Sequence, residues 1–110
     1  MREFKFRAWD NKNKIMTAKV SLSDVSKGFL GLENNIVMQY TGLKDKNGIE
    51  IYEGDILKLE ESNESYETKY LGNRFVLCKY DNIVFENEAY FRERQVVGNI
   101  YENPEVLKED

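Results

Sequence analysis

The chain has 110 residues, which suits one domain, with 41% hydrophobic residues, 33% charged residues and a net charge of −4. It contains one Cys, one Pro and no His, which excludes a disulfide framework and histidine-based catalysis. No apolar run is long enough to span a membrane, and the N-terminus lacks the apolar segment of a secretory signal. We therefore expect a cytoplasmic protein.

The first predicted element is a hairpin. Apolar and polar side chains alternate over residues 4–9, which is typical of a strand with two different faces, and residues 10–14 are rich in turn formers. An extended pattern then resumes, so the sequence predicts a hairpin over residues 3–20. The alternation is expected to turn Phe4 and Phe6 inward.

A second hairpin is predicted in the middle of the chain. Asn47-Gly48 lies between extended runs at 36–43 and 49–52, and glycine adopts the positive φ that a tight turn requires. The turns and short apolar runs predict about seven strands in all. The later strands are expected at residues 56–60, 74–80, 83–86 and 95–101.

Composition assigns the remaining segments. Residues 60–67 are polar and acidic and predict a loop, whereas residues 87–94 leave a helix and an irregular strand open. Asn103-Pro104 places a capping residue before a proline, which predicts a short helix over residues 104–109. Together the elements predict a mainly β fold with little helix, a small barrel or sandwich, in one compact unit over residues 1–110.

No group of residues predicts catalysis, a cofactor or a metal site. Cys78 lies in an apolar run and is expected to be a buried thiol. The turn over residues 45–48 departs from the calcium-loop pattern, because its glycine comes two positions early. The carboxylates of Glu53 and Asp55 flank a glycine and are more simply explained by a turn. We therefore expect a protein that is not an enzyme and has no cofactor.

Charge is unevenly distributed along the chain. Residues 1–20 carry a net charge of +4, whereas residues 50–67 carry −6 and residues 95–110 carry −3. Such a separation can bring the basic and acidic segments together within one molecule, or orient neighbouring copies in a homo-oligomer. Aromatic and basic residues also interleave over residues 4–12, so a nucleic-acid surface stays open, although the overall charge of −4 counts against non-specific binding to DNA.

Three segments, in this order and spacing, closely resemble the YopX-like family of phage and prophage proteins. They are FRAWD at 6–10, MQYTGLKDKNG at 38–48 with IYEGDI at 51–56, and VGNIYENPE at 97–105. The resemblance implies a protein of phages or prophages of Gram-positive bacteria with no established biochemical activity. It also implies an N-terminal hairpin segment over residues 1–35 and a small SH3-type barrel over residues 36–110.

Most signature positions that the resemblance carries over have a structural explanation, such as a turn or a helix start. Arg7, Trp9, Gln39 and Tyr52 lack one, and we expect them to form a contact surface. The sequence therefore favours a non-enzymatic accessory protein of the bacterial cytoplasm that binds copies of itself, or a phage or host protein, and no membrane. The alternative is a nucleic-acid-associated regulatory protein that uses the surface of the barrel.

Overall fold

The computed structural model describes residues 4–20 and 35–108; residues 21–34, part of the predicted N-terminal segment, lie outside the described ranges. The described residues form nine strands, one short α-helix and one 3-10 helix. In chain order these are β1 Phe6–Asp10, β2 Ile15–Val20, β3 Asn35–Lys44, β4 Glu50–Tyr52, β5 Asp55–Lys58, β6 Ser65–Leu71, β7 Arg74–Lys79, β8 Asn82–Phe85, α1 Glu88–Arg92, β9 Gln95–Asn99 and the 3-10 helix Pro104–Lys108. The predicted mainly β fold with little helix is confirmed.

The strands form two antiparallel sheets. The four-stranded sheet has the order β2-β1-β3-β4, and the five-stranded sheet has the order β8-β7-β6-β5-β9. Strand β3 pairs with both β1 and β4, so it connects the N-terminal hairpin to the rest of the chain. The predicted boundary at residue 35 is the first residue of β3. The SH3-type likeness of residues 36–110 stays a prediction.

Both predicted hairpins are confirmed. Strands β1 and β2 pair with Asp10 opposite Ile15, and β3 and β4 pair around the turn that contains Gly48. Gly48 has φ +82°, and a Cβ there would meet no neighbouring atom, so backbone conformation alone calls for glycine. Residues 87–94 contain the helix rather than the irregular strand, and the side chain of Asn87 caps α1 by accepting the N–H of Ala89 at 2.8 Å.

The loop predicted over residues 60–67 was wrong in its last three residues. Strand β6 begins at Ser65 and is the central strand of the five-stranded sheet. Tyr66 and Thr68 are buried and alternate with the partly exposed Glu67 and Lys69. The period of two is therefore present in the sequence, but the acidic residues before Ser65 concealed where the strand begins.

The main hydrophobic core lies between the five-stranded sheet, strands β3 and β4 of the four-stranded sheet, and α1. It consists of Leu43, Ile51, Leu57, Tyr66, Phe75, Leu77 and Phe91. A smaller cluster on the N-terminal hairpin joins Ala8 and Val20 to the half-buried Phe6. The expectation for Phe4 was wrong, since it is 61% exposed and lies before the first paired residue of β1. Cys78 is buried as predicted, and burial raises the pKa of its thiol.

Candidate functional site

Arg7 joins the four-stranded sheet to the five-stranded sheet. Its Nη2 donates to Asp55 Oδ1 at 2.7 Å and to the carbonyl oxygen of Glu53 at 3.1 Å, and both charged side chains are largely removed from solvent. Burial raises the pKa of Asp55 above its ordinary value, while the Arg7 guanidinium limits that rise. Because an unpaired buried carboxylate is costly, this ion pair holds β1 against the start of β5.

Tyr52 and Gln39 belong to the same junction. The Arg7 guanidinium lies over the Tyr52 ring, with Cζ 4.8 Å from the ring centroid, and the Tyr52 N–H donates to Asp55 Oδ2 at 2.7 Å. Gln39 takes part through its backbone: its N–H donates to Glu53 Oε1 and its carbonyl accepts the Glu53 N–H, both at 2.9 Å. These contacts fix the turn between β4 and β5 against β3.

Trp9 lies on the same face of β1 as Arg7, as strand alternation predicts, but this face is turned inward. The indole is 4% exposed, and it stacks on the Tyr101 ring with centroids 6.0 Å apart and an interplanar angle of 24°. Trp9 therefore packs β1 against the segment that follows β9. Its ring offers no free face on which a nucleic-acid base could stack.

The structure thus brings together three of the four predicted contact residues, Arg7, Gln39 and Tyr52, and places Trp9 beside them on β1. Their contacts show a structural role, which is to fasten the two sheets to each other. The sequence did not identify Asp55 as the partner of Arg7 and Tyr52, because a position in a turn already explained this aspartate. Its second role, as the buried counter-ion of Arg7, is visible only in the structure, because the two residues are 48 positions apart in the chain.

A second buried carboxylate, Asp45, closes the β3–β4 turn and also reaches β9. Its Oδ1 accepts the N–H groups of Asn47 and Ile49 at 2.8 and 2.9 Å, and its Oδ2 accepts the N–H of Val96 at 2.8 Å. The turn was predictable from sequence, but the link to Val96, 51 residues away, was not. Asp45 is a bridge between the turn and the five-stranded sheet.

Arg94 is held in a box of aromatic rings that sequence analysis missed. Its guanidinium lies 4.5 Å from the Phe85 centroid, 5.4 Å from that of Tyr66 and 5.7 Å from that of Tyr90. Nη1 donates to the Tyr90 carbonyl at 2.9 Å and to Glu93 Oε1 at 3.0 Å. Because Phe85 ends β8 and Tyr90 lies in α1, this cation holds both elements on the sheet.

A cleft of about 560 Å³ lies between the end of β3, the start of β7 and α1. Its rim carries Arg74 and Arg92, which pair with Glu86 and Glu88 respectively. These cations are therefore already partnered. Over residues 4–20 and 35–108, no three acidic or cysteine side chains lie close enough to hold a metal ion, and no helix is long and apolar enough to cross a membrane.

Two of the four sheet edges are blocked by the chain itself. At β4, the N–H of Tyr52 donates to the buried carboxylate of Asp55; at β9, the N–H of Val96 donates to that of Asp45. The N–H of Asn99, the last residue of β9, donates to Asn103 Oδ1 at 3.2 Å. Since these donors are already used, β4 and β9 are poor templates for a further strand.

Within residues 4–20 and 35–108, the other two edges, β2 and β8, are open. No strand of the described chain pairs with the outer side of either one. Both carry exposed apolar side chains: Ile15 on β2 is 57% exposed, and Ile83 and Val84 on β8 are 43% exposed each. An open edge with apolar side chains is the feature to which another strand is added in β-augmentation.

A family model described as "YopX protein" matches residues 23–108. The crystal structure of protein EF1440 from Enterococcus faecalis is similar over 97% of this chain and 99% of that chain, with 31% sequence identity and a TM-score of 0.70. Among curated proteins, none matches.

Proposed function

The chain belongs to the YopX protein family, and from its two open sheet edges we propose that it is a non-enzymatic accessory protein of a phage or prophage that binds further copies of itself in the bacterial cytoplasm. The family and a similar protein of a bacterium agree with that origin. The observation that carries the proposal is the contrast between two edges that the chain blocks and two that it leaves open.

The interior charges support a binding role over a catalytic one. Arg7, Asp55 and Asp45 each make several hydrogen bonds within the protein, and their partners are backbone groups or each other. Buried groups that make several hydrogen bonds within the protein serve the fold and are poorly placed to exchange protons with a substrate. The features that remain available on the outside are strand edges, which bind other strands.

The nucleic-acid alternative has weaker support. Its main argument was that Trp9 would share an outer face with basic residues, and the indole instead stacks on Tyr101 inside the molecule. Binding to nucleic acid also requires a basic surface, and the net charge is −4. A partner from the phage or the host stays possible on the same open edges, because β-augmentation depends chiefly on backbone hydrogen bonds.

The proposal is tested by measuring the mass of the purified chain in solution. Sedimentation velocity over a wide concentration range, in low salt, is expected to show the mass rising above the 13.0 kDa of one chain as concentration increases. Edge-to-edge contacts are small, so we expect reversible and concentration-dependent association. A mass of one chain at every concentration would contradict self-association and leave a different protein as the partner.

A further inference from the structure

The two open edges carry opposite charge. The basic edge is defined as residues 11–20, which include the β1–β2 turn and β2; it contains three lysines and no acid. The acidic edge is defined as residues 81–88, which include β8 and its flanks; it contains three acids and no base. Opposite charges on two edges that are both free to accept a strand favour contact between them in different copies.

The positions of these charges match in one antiparallel register. When Thr17 is placed opposite Ile83, the residue numbers of any two opposite residues add up to 100, because the strands run in opposite directions. Every lysine of the basic edge is then level with an acid of the acidic edge: Lys12 with Glu88, Lys14 with Glu86 and Lys19 with Asp81. The last two pairs bracket residues 15–18 of β2 and residues 82–85 of β8, and the first lies beyond both strands.

From this complementarity we infer that β2 of one copy adds to β8 of the next copy as an antiparallel strand, with Thr17 opposite Ile83. The inference rests on the proposed self-association and specifies its surface. In this register Ile15 faces Phe85 and Met16 faces Val84, so apolar residues of the two edges also meet. A parallel arrangement is less favourable, because placing Lys14 opposite Asp81 puts Lys12 opposite Lys79.

The acids of the acidic edge remain accessible in the single chain. Asp81 is fully exposed and lies 3.9 Å from Lys69 Nζ, and Glu86 pairs with Arg74 at a site where both side chains are about half exposed. Exposed pairs of this kind are weak, and a carboxylate has room for a second cation. The Arg94 box holds the end of β8 through Phe85, so the edge is positioned before a partner arrives.

The pairing uses two different surfaces, which determines the kind of assembly. Each copy has one basic edge and one acidic edge, so the contact is heterologous and not self-complementary. Copies that join head to tail form a closed ring if the rotation between them closes, and an open filament otherwise. A two-fold dimer that uses this contact alone would leave one edge of each copy unpaired.

The test uses two charge-reversed variants of the whole chain. The basic-edge variant carries Lys14→Glu and Lys19→Glu, and the acidic-edge variant carries Asp81→Lys and Glu86→Lys. In each variant alone, like charges meet at the contact, and we expect the concentration for half-assembly to rise at least tenfold. When the two are mixed in equal amounts, every new contact pairs opposite charges again, and we expect assembly to return.

Matched controls separate this effect from net charge. Lys44→Glu with Lys46→Glu, and Glu60→Lys with Glu61→Lys, change the net charge by the same amounts at exposed positions outside both edges. These variants are expected to assemble like the wild type. If the edge variants assemble as well alone as the controls do, or if mixing them restores nothing, the inferred contact is overturned. A wild-type chain that never exceeds the mass of one chain overturns the proposed self-association instead.

The register is tested by cross-linking. Cysteines introduced by Thr17→Cys and Ile83→Cys lie directly opposite each other in the inferred contact, within the Cα separation that a disulfide requires. We expect oxidation to give a ladder of linked chains. Thr17→Cys combined with Asn82→Cys is shifted by one residue, which places the two thiols on opposite faces, and we expect no ladder. A ladder from the shifted pair alone would overturn the register. Both variants also carry Cys78→Ser, because Cys78 lies directly opposite Ile83 on β7 and would compete for the new cysteine within the same chain.

Discussion

Among the described residues, the blocked edges and the open edges of this protein differ in whether a buried carboxylate accepts a backbone N–H group of the strand. Strands β4 and β9 are blocked by Asp55 and Asp45, which are buried and also bind other parts of the fold. Among the described residues, β2 and β8 each pair with one strand, the other member of their own hairpin. The same antiparallel architecture therefore yields two edges that the fold blocks and two that pair with no further strand of the described chain.

The difference shows where the residues of the family resemblance act. Arg7, Asp45 and Asp55 lie in the segments that resemble the YopX family, and all three hold the two sheets together. The acidic edge lies between those segments, in a region that carries no such motif. The motif residues thus account for the fold, while the proposed contact depends on residues outside the motifs.

The largest expected effect comes from breaking the ion pair at the blocked β4 edge. Arg7→Met leaves the Asp55 carboxylate buried without its cation, and we expect a loss of about 3–5 kcal/mol in the free energy of unfolding near pH 7. Urea denaturation measures this loss. The matched control is Arg92→Met, which removes an exposed pair with Glu88 and is expected to cost about 0.3–0.5 kcal/mol.

The cost of Arg7→Met is also expected to depend on pH. In the wild type the pKa of Asp55 is raised by burial, so the folded state binds this proton more tightly than the unfolded state does. The stability that this group contributes therefore falls as pH rises from its ordinary pKa through the raised one. Without Arg7 the pKa rises further, so the loss should be larger near pH 7 than near pH 4. A loss that is equal at both values would contradict the burial of an ionised Asp55.

The next largest effect is expected at the blocked β9 edge. Asp45→Ala removes the acceptor of three backbone N–H groups, including that of Val96, and should cost about 2–4 kcal/mol. Asp45→Asn keeps one acceptor oxygen and should fall between the wild type and the alanine variant. Glu61→Ala, at an exposed position, is the control and should change the stability by less than about 0.5 kcal/mol. Equal stabilities for the Ala and Asn variants would argue against the bridge.

A substitution on an open edge is expected to weaken self-association and to leave the free energy of unfolding nearly unchanged. Ile83→Lys changes a half-exposed residue of β8, so the free energy of unfolding should change by less than about 1 kcal/mol while self-association weakens. Leu71→Lys, at a similarly exposed position at the β6–β7 turn, is the matched control and should leave association unchanged. Thermal unfolding and sedimentation velocity separate the two effects. A variant that unfolds easily but still associates would reverse the distinction between blocked and open edges.

The smallest expected effect is that of nucleic acid on the single tryptophan. Because Trp9 is buried against Tyr101, its emission should be that of an apolar environment and should stay unchanged when an oligonucleotide is added at low salt. Urea should shift the emission to longer wavelength, which is the positive control. A quench by the oligonucleotide that disappears at high salt would support the nucleic-acid alternative.

Local patterns in the sequence were sufficient for most of the strands. The hairpin over residues 3–20 and the Gly48 turn depend on neighbours within a few positions, and both were predicted. The strand at Ser65 was missed because it is buried by pairing with β5 and β7 on its two sides, and its polar composition alone suggests exposure. A polar strand becomes recognisable only when its neighbours in the sheet are known.

The inner and outer faces of β1 illustrate a different limit. Alternation correctly placed Arg7 and Trp9 on one face, but it does not tell which face is covered by a second sheet. The charge of Arg7 suggested that this face is exposed to solvent. In the structure the face is buried, because Asp55 pairs with Arg7 and Tyr101 stacks on Trp9, and both partners are far away in the chain. A charged residue can be interior when its counter-ion is brought to it by the fold.

The composition of the chain, with no His and one Cys, by itself excluded histidine chemistry, and the charges counted by segment showed that the net charge of −4 combines a basic N-terminal segment with two acidic ones. Periodicity determined the hairpins, because strand and turn preferences act between near neighbours. Only the tertiary structure decided which edges are blocked and which are open. At β9 the choice depends on Asp45, which accepts the N–H of Val96, 51 residues away. At β4 it depends on Asp55, which is buried against Arg7, 48 residues away. No local pattern in the sequence indicates either long-range contact.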